Sequence, residues 1–204
     1  MTLLESIKKV REVKKRNFNQ TFDLIINLKE IDLKKTENKI DENFILPKGT
    51  GKEVSITLFS ETAKKIEGCK IVKDFEIENL VKNKKTVKKL INETNFFLSE
   101  PKLMPVVGKY LGKFLAPRRM MPKPVTDNVN EIIEGMKKSI KIVMDKQPII
   151  HTIVGSEKMD DKDIEENIKS LLSYLEKKLP RGKHNIKNVY LKTTMGHPVK
   201  LEVG

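Results

Sequence analysis

The chain has 204 residues, 41 of them Lys or Arg against 28 Asp or Glu, a formal net charge of +13. That length is ample for one large or two small cores, and the basic surplus makes a polyanion the first partner to consider. Hydrophobic residues make up 38%, but no apolar run approaches the ~18 residues of a membrane span, and no Trp anchors the basic helices to a membrane surface.

Thr2-Leu3-Leu4-Glu5 has the form of a helix capping box, and Leu3, Ile7 and Val10 follow at helical spacing with Lys8, Arg11 and Lys15 on the remaining face. The chain therefore opens with a basic amphipathic helix. Phe22, Leu24, Ile26 and Leu28 alternate with Asp23, Ile25 and Asn27, the period of a strand, and Val54, Ile56 and Leu58 repeat it. Between them, the polar stretch 29–43 reads as a long connection leading to Pro47 and Gly49. Lys48-Gly49-Thr50-Gly51-Lys52 invites comparison with a phosphate-binding loop. Glu53 and a strand pattern follow it, where that loop needs Ser or Thr and a helix, so it reads as a turn.

The middle of the chain follows a different plan. Short apolar runs at 70–72 and 95–98 alternate with helical stretches near 77–91, 106–115 and 128–138, the βαβα rhythm of a small doubly wound unit. The expected fold is thus α/β of the α+β kind and discontinuous. Residues 1–61 and 138–204 form an α+β domain holding both termini, and 62–137 form an inserted Rossmann-like domain. The insert carries +7 and the remainder +6, so charge singles out neither. Lys82, Lys84, Lys85, Lys88 and Lys89 are the densest basic run and fit a solvated helix face. Gly108 and Gly112 sit inside a helical pattern with no third glycine, which is not a dinucleotide fingerprint. Three prolines within 117–124 break the helix there and leave a shaped basic loop around Arg118 and Arg119.

The clearest helix spans about 161–179, with Ile164, Ile168, Leu171, Leu172 and Leu175 on one face, acidic residues at its start and Lys177 and Lys178 at its end. Two more alternating strands, Val189 with Leu191 and Val199 with Leu201 and Val203, flank the run Lys192-Thr193-Thr194-Met195-Gly196-His197-Pro198. A strand that stops at Met-Gly makes a tight exposed corner, with hydroxyls and bare peptide groups between Lys192 and Lys200.

No set of nucleophile, base and orienting residue stands out, so no catalytic residue is expected. His151, His184 and His197 are far apart, and the acidic 160–166 segment is explained by a helix start, so no metal or cofactor is expected. Cys69 is the single cysteine, which excludes an internal disulfide and fits a reducing compartment. The first nine residues are too charged for a signal peptide, and a cytoplasmic location is expected.

Four segments in order resemble one family: Asn17-Phe18-Asn19-Gln20-Thr21-Phe22-Asp23, Leu46-Pro47-Lys48-Gly49-Thr50-Gly51-Lys52, Leu115-Ala116-Pro117-Arg118-Arg119-Met120-Met121-Pro122-Lys123-Pro124, and Thr193-Thr194-Met195-Gly196. The family is that of the universal large-subunit ribosomal protein number one, the protein of the mobile stalk at the tRNA exit site. Ala116 and Arg119 replace the two glycines of the bacterial Gly-Pro-Arg-Gly signature, a departure more like the archaeal branch. The resemblance implies the discontinuous two-domain form and a protein that is not an enzyme but binds large-subunit rRNA at the stalk on the ribosome. It further implies assistance to exit-site tRNA as it leaves, and repression of the protein's own mRNA. The protein is expected to be a monomer when free and to have no membrane partner. The alternatives are a nucleotide-using enzyme on the insert, which the missing phosphate loop disfavours, and a nonspecific basic nucleic-acid binder.

The candidate RNA-binding residues follow from both sources. Thr193, Thr194, Met195 and Gly196 supply small hydroxyl and backbone groups suited to the 2′-hydroxyls of a shallow RNA groove. Lys14, Lys15 and Lys192 supply phosphate attraction. Phe18 follows a cationic cluster, where it either closes the first helix or meets RNA. Asp23 lies on the polar side of its strand, as an acceptor for a ribose hydroxyl or base amino group or as a plain surface acid. The resemblance makes Phe18, Asp23, Thr194, Met195 and Gly196 the principal surface, with Asp145 and Lys146 as a supporting patch.

Overall fold

The computed structural model describes residues 2–12, 16–35, 38–61, 69–125 and 129–202. Its contacts divide the chain into two units, Met1–Lys52 with Lys138–Gly204, and Glu53–Lys137. The first unit begins with α1 (Leu3–Arg11), β1 (Thr21–Leu28) and β2 (Ile40–Ile45). The second comprises β3 (Ile56–Phe59), β4 (Cys69–Val72), α2 (Asp74–Lys82), α3 (Lys84–Glu93), β5 (Phe96–Ser99), α4 (Met104–Leu115), β6 (Lys123–Pro124) and α5 (Val129–Lys137). The chain then completes the first unit with β7 (Ser139–Met144), β8 (Ile149–Ser156), α6 (Asp161–Lys178), β9 (Ile186–Thr193) and β10 (Val199–Leu201). Among the described residues no helix is long and apolar enough to cross a membrane.

The first unit rests on an antiparallel sheet in the order β10-β9-β1-β8. Alternation along β1 turns Phe22, Leu24 and Ile26 inward, where they meet Val189 and Leu191 of β9 and Ile150 and Val154 of β8. Ile7 and Val10 of α1 and Ile164, Ile168, Leu171 and Leu175 of α6 close the same core. Burial of each such side chain is worth roughly 1.5–3 kcal/mol, so this shared core is what holds the two ends of the chain together. The capping box at the start of α1 forms as expected, with Glu5 N–H donating to Thr2 Oγ1 at 3.3 Å and Thr2 N–H to Glu5 Oε2 at 2.9 Å. At the other end of that helix, Arg11 donates to the carbonyls of Glu157 and Met159, pairs with Asp161 at 2.7 Å and lies over the Phe22 ring.

The polar stretch 29–43 is not all connection. It ends in β2, which pairs with β7 in a two-stranded ribbon, and Ile40, Ile142 and Met144 bury against α6 and its neighbours. The sequence hides β2, because Ile-Asp-Glu-Asn-Phe-Ile does not alternate cleanly. Phe44 meets the Tyr174 ring at 4.8 Å between centroids, and Glu42 accepts from Tyr174 Oη and from Lys178 Nζ. Burial and the Glu42 carboxylate push the Tyr174 phenol up to about 12.

The Pro47–Gly51 turn is held by a buried polar side chain. Asn167 of α6 accepts from Lys48 N–H at 3.1 Å and donates to the carbonyls of Gly49 and Val154. Gly49 and Gly51 adopt φ of 70° and 66°, torsions that disfavour a side chain. No helix follows, so the amides here form no phosphate cradle of the P-loop kind.

In the second unit the strands run parallel in the order β4-β3-β5-β6. The helical stretch read across 77–91 is two helices. Asn83 is extended between them, and its side chain caps α3 by accepting from Lys85 N–H at 3.1 Å. β3, expected with the terminal segments, instead lies at the centre of this sheet, between β4 and β5. Its all-buried Ile-Thr-Leu-Phe pattern suits a parallel strand covered on both faces. The chain thus crosses between units after Lys52, earlier than the expected boundary at 61, and crosses back between Lys137 and Lys138. Asn128, Val203 and the boundary residue 62 lie outside the described residues.

Candidate nucleic-acid interface

Strand register decides which side chains share a surface. Directly opposed residues of an antiparallel pair point to the same face. Asp23 stands between Lys192 and Ile153, Ile25 between Tyr190 and His151, and Asn27 between Asn188 and Ile149, while Lys200 flanks Tyr190 from β10. These residues are half-buried or exposed. α1 and α6 pack on the opposite face, so neither helix of this unit covers this one.

The Thr194–Pro198 corner sits at one end of that sheet and is pinned to the start of β1. Thr194 N–H donates to Thr21 O at 3.0 Å, Thr21 N–H donates to Thr194 Oγ1 at 3.2 Å, and the two hydroxyls are 2.9 Å apart. The Gln20 side chain, buried at 2% exposure, accepts from Met195 N–H at 3.1 Å. It also donates to Glu157 Oε1 at 3.1 Å, and Gln20 N–H donates to Glu157 Oε2 at 3.0 Å. Lys192 Nζ donates to Thr194 O at 3.2 Å. Met195 and Phe18 then stand 61% and 52% exposed, the one on the pinned corner and the other three residues before Thr21. A residue made this apolar and this exposed on a rigid base has surface to offer a partner.

Two candidates play a different part from the one expected. Thr193 is 1% exposed, and its side chain lies under the corner rather than on it. Gly196 is needed because of that neighbour. A Cβ at position 196 would stand 2.2 Å from Thr193 Oγ1, and Gly196 has no left-handed torsion to explain it otherwise. The Thr194 hydroxyl, expected to face RNA, is committed to Thr21.

Asp23 is half-buried. Desolvation pushes its carboxyl above the ordinary value, against the opposing pull of Lys192, the Thr21 hydroxyl, Lys52 and His151. Asp145 and Lys146 are not near the corner. They lie in the turn before β8, beside the Leu28 end of β1, where Leu28 N–H donates to Pro148 O. Seven residues of strand, about 23 Å at ~3.3 Å each, separate that end from Thr21. Asp145 pairs there with Lys39 at 3.0 Å. Lys14 and Lys15 lie outside the described residues. Gln20, Ile25, His151 and Tyr190 join this surface without having been read from the sequence as part of it. The alternation Asn188, Tyr190, Lys192 in β9 carried the signal for Tyr190, whereas nothing in the sequence marks Gln20 as the clamp.

No group of three His, Cys, Asp or Glu capable of holding a metal occurs among the described residues. In the second unit the carboxyl ends of β3 and β5, where an open α/β sheet takes its ligand, carry an acidic side chain that bonds to the chain itself. The Glu100 carboxylate there accepts from the Ser60 hydroxyl and from Glu61 N–H at 3.4 Å.

Residues 10–197 match the model of the ribosomal protein L1p/L10e family. The chain belongs to that family. It is 39% identical to large ribosomal subunit protein uL1 of Methanothermobacter thermautotrophicus over 98% of each chain. It is 42% identical to uL1 of Methanothermococcus thermolithotrophicus, over 98% of this chain and 97% of the relative. Identity to uL1 of Methanocaldococcus jannaschii is 41%, over 98% and 94%. The relatives named here are all archaeal, the branch that the sequence reading pointed to.

Proposed function

We propose that the protein is a component of the large ribosomal subunit that binds rRNA at the mobile stalk beside the tRNA exit site. Through that placement it assists the release of deacylated tRNA, and it represses its own mRNA by binding an RNA mimic of the ribosomal site. The observation that carries this reading is the pinning of the Thr194–Gly196 corner, from the end of the chain, to Gln20 and Thr21 near its start, with Asp23 opposite Lys192 on the same sheet, in a protein with a +13 surplus. A pinned corner bearing exposed apolar groups and main-chain donors and acceptors reads the shape of folded RNA. The lysines around it, Lys192 and Lys200, add attraction that is independent of sequence. Lys14 and Lys15 extend the basic margin in this proposal, and Asp145 with Lys146 form a second contact at the far end of the open face. The P-loop mismatch at 48–52 speaks against a nucleotide-using enzyme. The test is competition binding of a labelled stalk rRNA fragment against a scrambled hairpin of equal length. Preference for the stalk fragment by a factor of a hundred or more is expected, and equal binding to both would refute the proposal.

A further inference from the structure

The open sheet face holds a groove of about 570 Å³ beside the corner, and its walls combine two chemistries. Ile25, Ile153 and Pro198 supply apolar surface, and Asp23, His151 and Lys192 supply polar groups. Asp23 Oδ1 accepts from Thr21 Oγ1 at 3.4 Å, and among the described residues Oδ2 has no hydrogen-bond partner. A half-desolvated carboxylate with an uncommitted oxygen is an acceptor in search of donors, and it presents a two-oxygen fork. Lys192 stands directly across the strand from it, and Ile25 with His151 forms the adjacent row.

We propose that this groove receives one unpaired guanine of the bound RNA, with its Watson–Crick edge on the Asp23 carboxylate, its ring over Ile25 and His151, and its phosphate toward Lys192. Guanine is the base whose Watson–Crick edge places two donors side by side, N1–H and the N2 amino group, and these match the carboxylate fork. Adenine and cytosine offer a single donor beside an acceptor, and uracil an imino donor between two acceptors. Either arrangement sets an acceptor against Asp23. Apolar side chains and an imidazole make a stacking floor that accepts any base, so selection falls to the carboxylate. The volume is within the ~300–1,000 Å³ usual for small-ligand pockets. The proposal rests on the RNA-binding reading above and adds the identity of the base that is read.

The test uses the full chain, with its isoleucine methyl groups labelled for NMR, titrated with the pentamers UUGUU, UUAUU and UUIUU, where I is inosine. The Ile25 and Ile153 methyl signals should move with UUGUU at concentrations at least tenfold lower than with UUAUU. Inosine, which keeps N1–H but lacks the amino group, should fall between the two. Asp23→Asn should erase the order among the three and leave the spectrum of the α1–α6 core unchanged. Equal responses to the three pentamers, or no response at these methyls, would overturn the groove assignment. If the stalk fragment still outcompetes a scrambled hairpin in that case, the rRNA reading survives and the guanine site does not. If the stalk fragment shows no preference, the reading fails and takes the assignment of the groove to that RNA with it.

Discussion

The hydroxyl of Thr194 lies 2.9 Å from that of Thr21, and Thr21 N–H donates to it at 3.2 Å, so residues 173 positions apart close the corner at the end of the sheet. This bridge makes Thr194 part of the frame beneath the proposed RNA surface. Thr194→Val retains the shape but strands the buried Thr21 amide without its acceptor, a loss of about 1–3 kcal/mol of stability. Urea denaturation should show that loss together with weaker stalk RNA binding, while Thr194→Ser should restore both. An unchanged unfolding midpoint for Thr194→Val would mean that the bridge does not hold the corner.

Gly196 and Thr193 form a second coupled pair. Gly196→Ala drives a Cβ to 2.2 Å from Thr193 Oγ1, and the resulting repacking should cost about 1–3 kcal/mol. Thr193→Ala removes that oxygen, which is buried without a hydrogen-bond partner, and should be close to neutral alone. The double variant should therefore recover most of the loss. Additive effects across the cycle would place the origin of the glycine requirement elsewhere.

The proposed role of Asp23 in recognition runs against stability. Its carboxyl is held above the ordinary value by burial, so the folded protein binds this proton more readily than the unfolded chain does. The contribution of Asp23 to stability therefore falls as pH rises from the ordinary carboxylate value through the raised one, and at neutral pH the charged group is a net cost. Asp23→Asn should raise the neutral-pH Tm and flatten that part of the pH–stability profile, while weakening RNA binding. A lowered Tm at pH 7 with an unchanged profile would contradict this.

In the proposed function Phe18 and the lysines divide shape reading from charge attraction. Phe18 is 52% exposed, so Phe18→Ala should leave stability near that of the parent while reducing affinity for stalk RNA more than for random RNA. Lys14→Gln or Lys15→Gln should weaken both RNAs alike and lower the salt-dependence slope by about one. A uniform loss for Phe18→Ala would assign the ring to the fold.

Periodicity made the strands and helices with one buried face legible. β1, α6, β9 and β10 follow their alternation closely, because one solvent-facing side lets polar residues mark it. β2 is obscured, since it mixes buried Ile40 and half-buried Phe44 with three charged or amide residues and leaves Ile45 exposed. β3 was seen as a strand but assigned to the wrong sheet, because alternation reports burial and carries no information on which strands pair. The corner was visible as a motif. Its internal wiring was not, because the Gln20–Met195, Thr21–Thr194 and Thr193–Gly196 contacts depend on register and on close approach. Thr193 and Thr194 look equivalent in the sequence, and pleating alone sends the first beneath the sheet and leaves the second at the surface.

The boundaries of the first unit yield the broadest test. Leu46 N–H donates to Lys138 O at 3.1 Å, and a Cβ on Gly49 would lie 3.4 Å from the Lys138 side chain, so the two segments that must be rejoined already run close together. A chain joining 1–52 to 138–204 through a short Gly/Ser linker keeps the β10-β9-β1-β8 sheet, the β2–β7 ribbon, α1 and α6 with their whole core. It should fold cooperatively and keep the preference for stalk RNA over a scrambled hairpin. Residues 53–137 alone should fold around their parallel sheet and bind RNA weakly without preference, because basic charge attracts a phosphate backbone without reading its shape. The same fusion made at residue 61 would carry β3 away from β4 and β5, leaving the apolar Ile56, Leu58 and Phe59 without their partners, and should be the less soluble of the two. Stalk preference residing in 53–137, with the joined-ends chain folded but silent, would move the primary site out of the sheet that Thr21 and Thr194 close.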